Sequence, residues 1–460
     1  MTDIPSWLHW LLISALVGVS VLWISRWYLI RKRDRVIDTA NARMQFRIPE
    51  SSLTQKKTII ERLLHDPGLL DYIDQTAGRD GVSRDQLLDK ARQYAREIGP
   101  SFNTYFYFVV GYRLSRTLLR LHYWIQTVAV DNAGLEAISP ASTVVLVSNH
   151  RSNMDPLLIT YLALRRSTIA LSAGEWARSW PLAPLIRAAG GYVVDRDAVD
   201  PLYRQVLAHY VHMVAASGVH HAVFPEGELT RDGKLQPPKL GFLSFFCRAL
   251  SDDRDIVFVP VGINYDRIPE DRNLAGAQRG FRNPGRWFLI VGSIRYIASL
   301  LRLPLSRREH RFGYACAAFG APLSLRQWLQ GKGVDPGQLE GTGRFEWLPE
   351  LADELMSHCG EQIPVPPVVI VASVMCDSPD RDEWSHAVLQ AQTDRLVESL
   401  TARGAHVHIP GGTTVALNFA LEMLTHHKFV KRVDENHYSV IPSQRHVLRY
   451  YANSISHLMS

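Results

Sequence analysis

Thr143-Val144-Val145-Leu146-Val147 runs almost directly into Asn149-His150-Arg151-Ser152-Asn153-Met154-Asp155-Pro156, and few folds accommodate that succession. A short, wholly apolar, β-branched run reads as a strand buried on both faces, as in a parallel α/β sheet. Asp155-Pro156 then reads as a helix start, with Asp155 at the N-cap and Pro156 at the first helical position. His150 and Asp155 are five positions apart, which on a regular helix would set them about 140° from each other. They meet only if the chain turns between them, and a strand-to-helix junction supplies that turn. Such a junction lies at the carboxyl end of a strand, where open α/β sheets bind ligands. By themselves the two residues also suit a solvated loop histidine and a plain helix cap; the rest of the chain weighs between these readings.

Three further blocks follow. Gly190-Gly191-Tyr192-Val193-Val194-Asp195-Arg196-Asp197 reads as a short strand ending on an arginine. Phe224-Pro225-Glu226-Gly227-Glu228-Leu229-Thr230-Arg231-Asp232-Gly233-Lys234 follows the apolar Ala222-Val223 and ends in a polar loop. Asp255 to Tyr265 reads as another buried strand, with Pro260 expected at its edge or end. In this order the four blocks resemble the four motifs of the membrane-associated glycerolipid acyltransferases with an H-x4-D signature, most closely the glycerol-3-phosphate acyltransferases. The resemblance runs from about Arg92 to about Leu325, and Val447 to Leu458 resembles the tail of bacterial members.

The resemblance implies transfer of a fatty acyl group from a thioester to a hydroxyl, and the residues suit that task. An imidazole ordinarily titrates near neutrality, so His150 can take the proton of an attacking alcohol; such general base catalysis contributes about 100- to 10,000-fold. Asp155 would hold the ring in the right tautomer and stabilise the imidazolium. No serine or cysteine nucleophile is needed, and no G-x-S-x-G occurs. By resemblance Arg196 and Arg231 are expected to bind the acceptor phosphate through their planar forks, with Arg151 close by. Lys234 and Lys239 are secondary candidates, better read as solvated cations. Glu226-Gly227 matches the third motif, Gly227 allowing close backbone approach and Glu226 orienting a cation or the acceptor's hydroxyls. Pro260 matches the fourth motif, associated in the family with the acyl donor. The sequence departs from the family at Leu229, where an arginine is usual, and at Glu228, where a small residue is common. These departures bear on the acceptor more than on the reaction.

The expected reaction is therefore acylation of the sn-1 hydroxyl of glycerol 3-phosphate by acyl-CoA or acyl carrier protein, giving lysophosphatidate, with no cofactor. The alternatives are the same chemistry on another acceptor, such as lysophosphatidate, and an inactive membrane-anchored binding protein.

A net charge of +6 and an isoelectric point near 9.1 suit anionic membrane lipids and anionic substrates, and would suit nucleic acid equally. Cys247, Cys316, Cys359 and Cys376 are widely spaced, and the histidines follow no ligand pattern, so neither a disulfide framework nor a metal is expected. Trp7 to Ile24 is an uncharged, mainly apolar run of 18 residues, long enough as a helix for one bilayer span. Tryptophans stand near both its ends, and Arg26, Arg31, Lys32, Arg33 and Arg35 follow it. These features predict a retained single-pass anchor in the cell inner membrane with the body of the chain cytoplasmic.

The organisation read from the chain is an anchor and basic flank over 1–35 and a helical, membrane-proximal region over 36–127. An α/β acyltransferase core follows over 128–330, then a small, mainly helical C-terminal domain over 331–460. Ser83 with Gln86 marks a helix start. Phe102 to Gln126, rich in aromatics and arginines, suits a helix lying on the membrane or packed on the core. Ile363-Pro364-Val365-Pro366-Pro367 reads as a linker or strand entry. Beyond it, a helix pair and hairpin over 384–441 have the order of a winged helix; order alone does not carry function, and no nucleic acid is expected.

Overall fold

The computed structural model describes residues 56–99, 112–163, 169–173, 192–193, 200–277, 312–335, 345–378, 381 and 383–459. The apolar run at 7–24 and Arg196 lie outside these residues.

The blocks read as strands form one mixed sheet within an α/β fold. Its strands are β1 (Trp124–Val130), β2 (Thr143–Ser148), β3 (Ile169–Ala173), β4 (Tyr192–Val193), β5 (His220–Val223), β6 (Ile256–Tyr265), β7 (Tyr314–Phe319) and β8 (Leu323–Ser324). The order across it is β1-β7-β6-β2-β5-β3-β4, with β8 also on β6. β2 is parallel to both neighbours, pairing Val145 with His221 on β5 and with Phe258 on β6, whereas β7 runs antiparallel to β6. The carboxyl ends of β5, β2 and β6 therefore lie side by side.

β2 is buried along its whole length, and successive side chains enter different layers because the strand period is two. Val144 and Leu146 join a core with Leu158, Ile159, Val369, Leu417 and Leu448, while Val145 and Val147 join one with Ile73, Val206, Phe246 and Leu355. Each such side chain contributes about 1.5–3 kcal/mol by leaving water. Chain from both ends of the described sequence supplies the covering layers. On one face lie α1 (Lys56–Leu64), α2 (Pro67–Asp80) and α3 (Arg84–Ile98); on the other lies α4 (Tyr112–His122). α5 (Asp155–Ala163) follows β2 and shares the α4 side, while α6 (Pro201–Ala216), α7 (Leu240–Cys247) and α8 (Leu348–Glu361) lie with α1–α3. α9 (Pro367–Asp377), α10 (His386–Ala402), α11 (Thr413–His426) and α12 (Arg445–Ala452) complete the α4 side. The hairpin of β10 (Val430–Arg432) and β11 (His437–Val440) pairs with β9 (Glu383–Ser385) beside them. Among the described residues no helix is long and apolar enough to cross a membrane.

One local expectation needs correction and two are refined. Pro260 lies in the middle of β6, a central strand, not at its edge. Its carbonyl accepts from Gly320 N at 2.9 Å, so its nitrogen faces the same side, beyond the end of the β7 ladder and short of β8. The missing N–H costs no ladder bond there. Ser83 precedes α3 but makes no side-chain cap. The run 363–367 is no exposed linker: Ile363 and Val365 are buried, and Val365 N donates to His406 O at 2.9 Å.

Candidate active site

β2 hands its register to the loop that follows it. Asn149, one residue beyond the strand, donates Nδ2–H to Ile263 O at 2.9 Å and accepts from Ile263 N at 2.8 Å. A side-chain amide thus continues the β2–β6 ladder while the backbone is released to turn. His150 leaves that turn with its ring stacked on Phe224, centroids 4.2 Å apart, and its N–H donates to Glu226 Oε1 at 2.8 Å.

Asp155 closes the turn. Its Oδ2 accepts from His150 Nδ1 at 2.9 Å, Arg151 N at 2.6 Å and Ser152 N at 2.9 Å, and its Oδ1 accepts from Tyr265 Oη at 2.7 Å. The sequence suggested an N-cap, but the carboxylate reaches back into the loop instead. Met154 O accepts the first helical bond, from Leu158 N at 2.9 Å, so the backbone of Met154 caps α5 and Asp155 stands inside its first turn. Asp155 is fully buried, whereas His150 keeps 8% of its surface. Nδ1 faces Asp155, so Nε2 is the ring nitrogen left without a protein partner among the described residues.

Glu226, after β5, bridges two loops, since its Oε2 also accepts from Gln236 N at 3.2 Å. Burial pushes its carboxyl up to about 7, against the lowering effect of the two backbone donors and of Arg151. Gly227 adopts a left-handed φ of 79°, and the Lys239 side chain occupies the space beside its Cα. Thr230 N donates to His150 O at 3.2 Å, which sets Arg231 at the rim. There Arg231 Nη2 lies 3.3 Å from Glu228 Oε2 and Lys239 Nζ lies 3.4 Å from Glu228 Oε1, all three side chains more than half exposed.

Arg151 does not point to solvent. It is 3% exposed, with Nη1 donating to Gly233 O at 2.9 Å and the guanidinium 5.0 Å above the Tyr450 ring of α12. Its Nε and Nη2 are buried without a partner among the described residues. Tyr450 O lies 1.9 Å from where a Cβ on Gly233 would be, and Gly233 has φ of +86°, so both space and backbone restrict this position to glycine. Asn453 Nδ2 adds a bond to Asp232 O at 2.8 Å. Beyond β6, Glu270 accepts from Ser152 Oγ at 2.9 Å and Asn153 Nδ2 at 3.0 Å.

His150, Asp155, Arg151 and Glu226 are therefore brought together, with Gly227 and Arg231 on the adjoining loop. Sequence reasoning did not single out Asn149, Tyr265, Gly233 or Tyr450 as members of this cluster. Asn149 lay within the signature itself. Tyr265 stands at the end of a strand already read as buried, and nothing local ties Tyr450 to Arg151. Among the described residues no group of His, Cys, Asp and Glu side chains is arranged to hold a metal ion.

The mixed α/β sheet carries its histidine–aspartate pair at the end of a central strand, and residues 129–264 match the Acyltransferase family. Residues 297–460 match the family described as Glycerol-3-phosphate acyltransferase C-terminal region. Glycerol-3-phosphate acyltransferase of Pseudomonas syringae pv. syringae (strain B728a) is 28% identical over 338 residues, covering 70% of this chain and 38% of that protein. The protein of the same name from Aeromonas hydrophila subsp. hydrophila is 26% identical over 458 residues, covering 94% of this chain and 53% of that protein. The chain thus spans between about two fifths and half of the length of these relatives. Among solved structures, the 1-acyl-sn-glycerophosphate (LPA) acyltransferase of Thermotoga maritima is 18% identical with a TM-score of 0.30, covering 66% of this chain and 95% of that one. Over these two stretches the chain is similar to the glycerol-3-phosphate acyltransferases.

Proposed function

We propose that the protein transfers a fatty acyl group from acyl-CoA or acyl carrier protein to the sn-1 hydroxyl of glycerol 3-phosphate, forming lysophosphatidate. The observation that carries this reading is the His150–Asp155 contact: a buried carboxylate on Nδ1 leaves Nε2 as the nitrogen that meets the acceptor. In its neutral form His150 takes the hydroxyl proton as the oxygen attacks the thioester carbonyl. The new C–O bond forms, the C–S bond breaks, and the imidazolium returns its proton to the departing thiolate. Asp155 offsets the positive charge that the ring carries between those two events. Arg151, with two unpaired buried N–H groups, fits an oxygen of the acceptor phosphate, and Arg196 and Arg231 are the further phosphate ligands.

The run at 7–24 and its basic flank support a single membrane anchor, with the catalytic part on the cytoplasmic side of the inner membrane. The test is transfer from labelled palmitoyl-CoA by membrane and soluble fractions of expressing cells, offered glycerol 3-phosphate, lysophosphatidate or no acceptor. Label is expected in lysophosphatidate, from the membrane fraction. Label only in phosphatidate moves the acceptor assignment, and activity confined to the soluble fraction removes the anchor. No transfer from either palmitoyl-CoA or palmitoyl carrier protein rejects the reading.

Glu228 supports a second reading of the acceptor. Its carboxylate lies against Arg231 and Lys239, where it competes with an incoming phosphate, and Leu229 adds no cation. An acceptor with less negative charge suits such a rim. E228Q separates the two: if Arg231 binds phosphate, KM for glycerol 3-phosphate falls about 2- to 5-fold, the scale set by exposed ion pairs. An unchanged KM with measurable turnover removes Arg231 from the phosphate site.

A further inference from the structure

We propose that Tyr265, through its hydrogen bond to Asp155, is a positioning residue that sets the orientation and proton affinity of the catalytic pair. The inference rests on the reading of His150 as the base.

Asp155 has two oxygens with different duties. Oδ2 serves the loop, accepting from His150 Nδ1 and from two backbone N–H groups. Oδ1 has one donor among the described residues, the Tyr265 hydroxyl at 2.7 Å. Without that donor Oδ1 would be buried with no hydrogen-bond donor, and the carboxylate would be held from its Oδ2 side alone. Tyr265 is itself immobile: it is fully buried at the end of a paired strand, opposite Ala315 of β7, with its ring 5.3 Å from that of Tyr123. Burial, reinforced by Asp155, holds its phenol well above the usual range, so it remains a donor at every working pH. β6 therefore reaches the pair twice: through Ile263, which pins Asn149 on one side of His150, and through Tyr265, which pins Asp155 on the other.

The hydroxyl also affects charge. Donation to Oδ1 draws negative charge towards that oxygen and away from Oδ2. Removing it concentrates charge beside His150 Nδ1 and holds the imidazolium more tightly. The other groups facing the pair are Arg151 on the same loop, Glu226 after β5, Glu270 after β6 and Tyr450 on α12. None of them donates to Oδ1, so none replaces the phenol.

Y265F removes one oxygen and keeps the ring packing. It is expected to lower kcat about 10-fold, the scale of one hydrogen bond to a charged group, with little change in KM for either substrate. It should also move the acid limb of the kcat/KM profile to higher pH. A purely structural tyrosine would lower the yield of active protein and leave the limb in place. The limb's position does not depend on the fraction of folded enzyme, so a poorly folding sample still decides the matter. Wild-type kcat with an unmoved limb overturns the inference alone. Absence of any transfer by the wild type removes the reading of His150 and the inference with it.

Discussion

Replacing His150 with alanine is expected to lower kcat by about 100- to 10,000-fold, the range lost with a positioned general base, while the protein remains folded. The two halves of this expectation have separate sources. Activity falls because no other described side chain stands at that place on Asp155 Oδ2. The fold persists because the loop is held by bonds that the substitution leaves intact: Asn149 to Ile263, His150 N to Glu226 and Thr230 N to His150 O. The measurement is kcat with saturating donor and acceptor, together with a denaturant unfolding curve. Activity within a few-fold of wild type would exclude His150 as the base, and a shifted unfolding midpoint would assign it a structural share.

Asp155→Ala should damage both properties. The substitution leaves four buried donors without their acceptor: His150 Nδ1, two backbone N–H groups and the Tyr265 hydroxyl. Each orphaned donor costs about 1–3 kcal/mol, and because they share one acceptor the losses do not add. A total near 3–5 kcal/mol is expected, the scale seen when one partner of a buried charged pair is removed. This predicts a clear fall in the unfolding midpoint and turnover as low as that of His150→Ala. The double variant should be no slower than the slower single variant, because residues that act as a unit fail together. Multiplying losses in the double variant would mean that Asp155 acts on the reaction without His150.

Much of the site was legible because its chemistry is local in the chain. β-branched runs gave β2 and β6, and five positions with a turn between them gave the His150–Asp155 contact. Asp155 was read also as an N-cap because Asp-Pro is a strong helix-start signal; the loop's N–H groups are nearer to the carboxylate and compete for it. Pro260 was sent to an edge by a rule that holds only where both sides of a strand are continuously paired. β6 changes partner at that residue, and the gap absorbs the missing donor. Arg231 stands at the rim, and its partner Glu228 could be known only from the conformation of the loop. What stayed invisible is the long-range layer. Tyr265 lies 110 positions from Asp155, and Tyr450 lies 299 from Arg151. No periodicity or motif links residues that meet only after the sheet has formed.

That last separation has a consequence for the timing of synthesis. Arg151 and Gly233 rest on Tyr450, and Asp232 is tied to Asn453, so the loops around His150 take their final shape against one late segment. At about 5–20 residues per second, a ribosome needs roughly 15–60 s to cover the 299 positions from Arg151 to Tyr450. During that interval the strands can pair, but the cation has no ring beneath it and Gly233 has no backbone to press against. A nascent chain should thus remain catalytically silent until the segment around Tyr450 has been made.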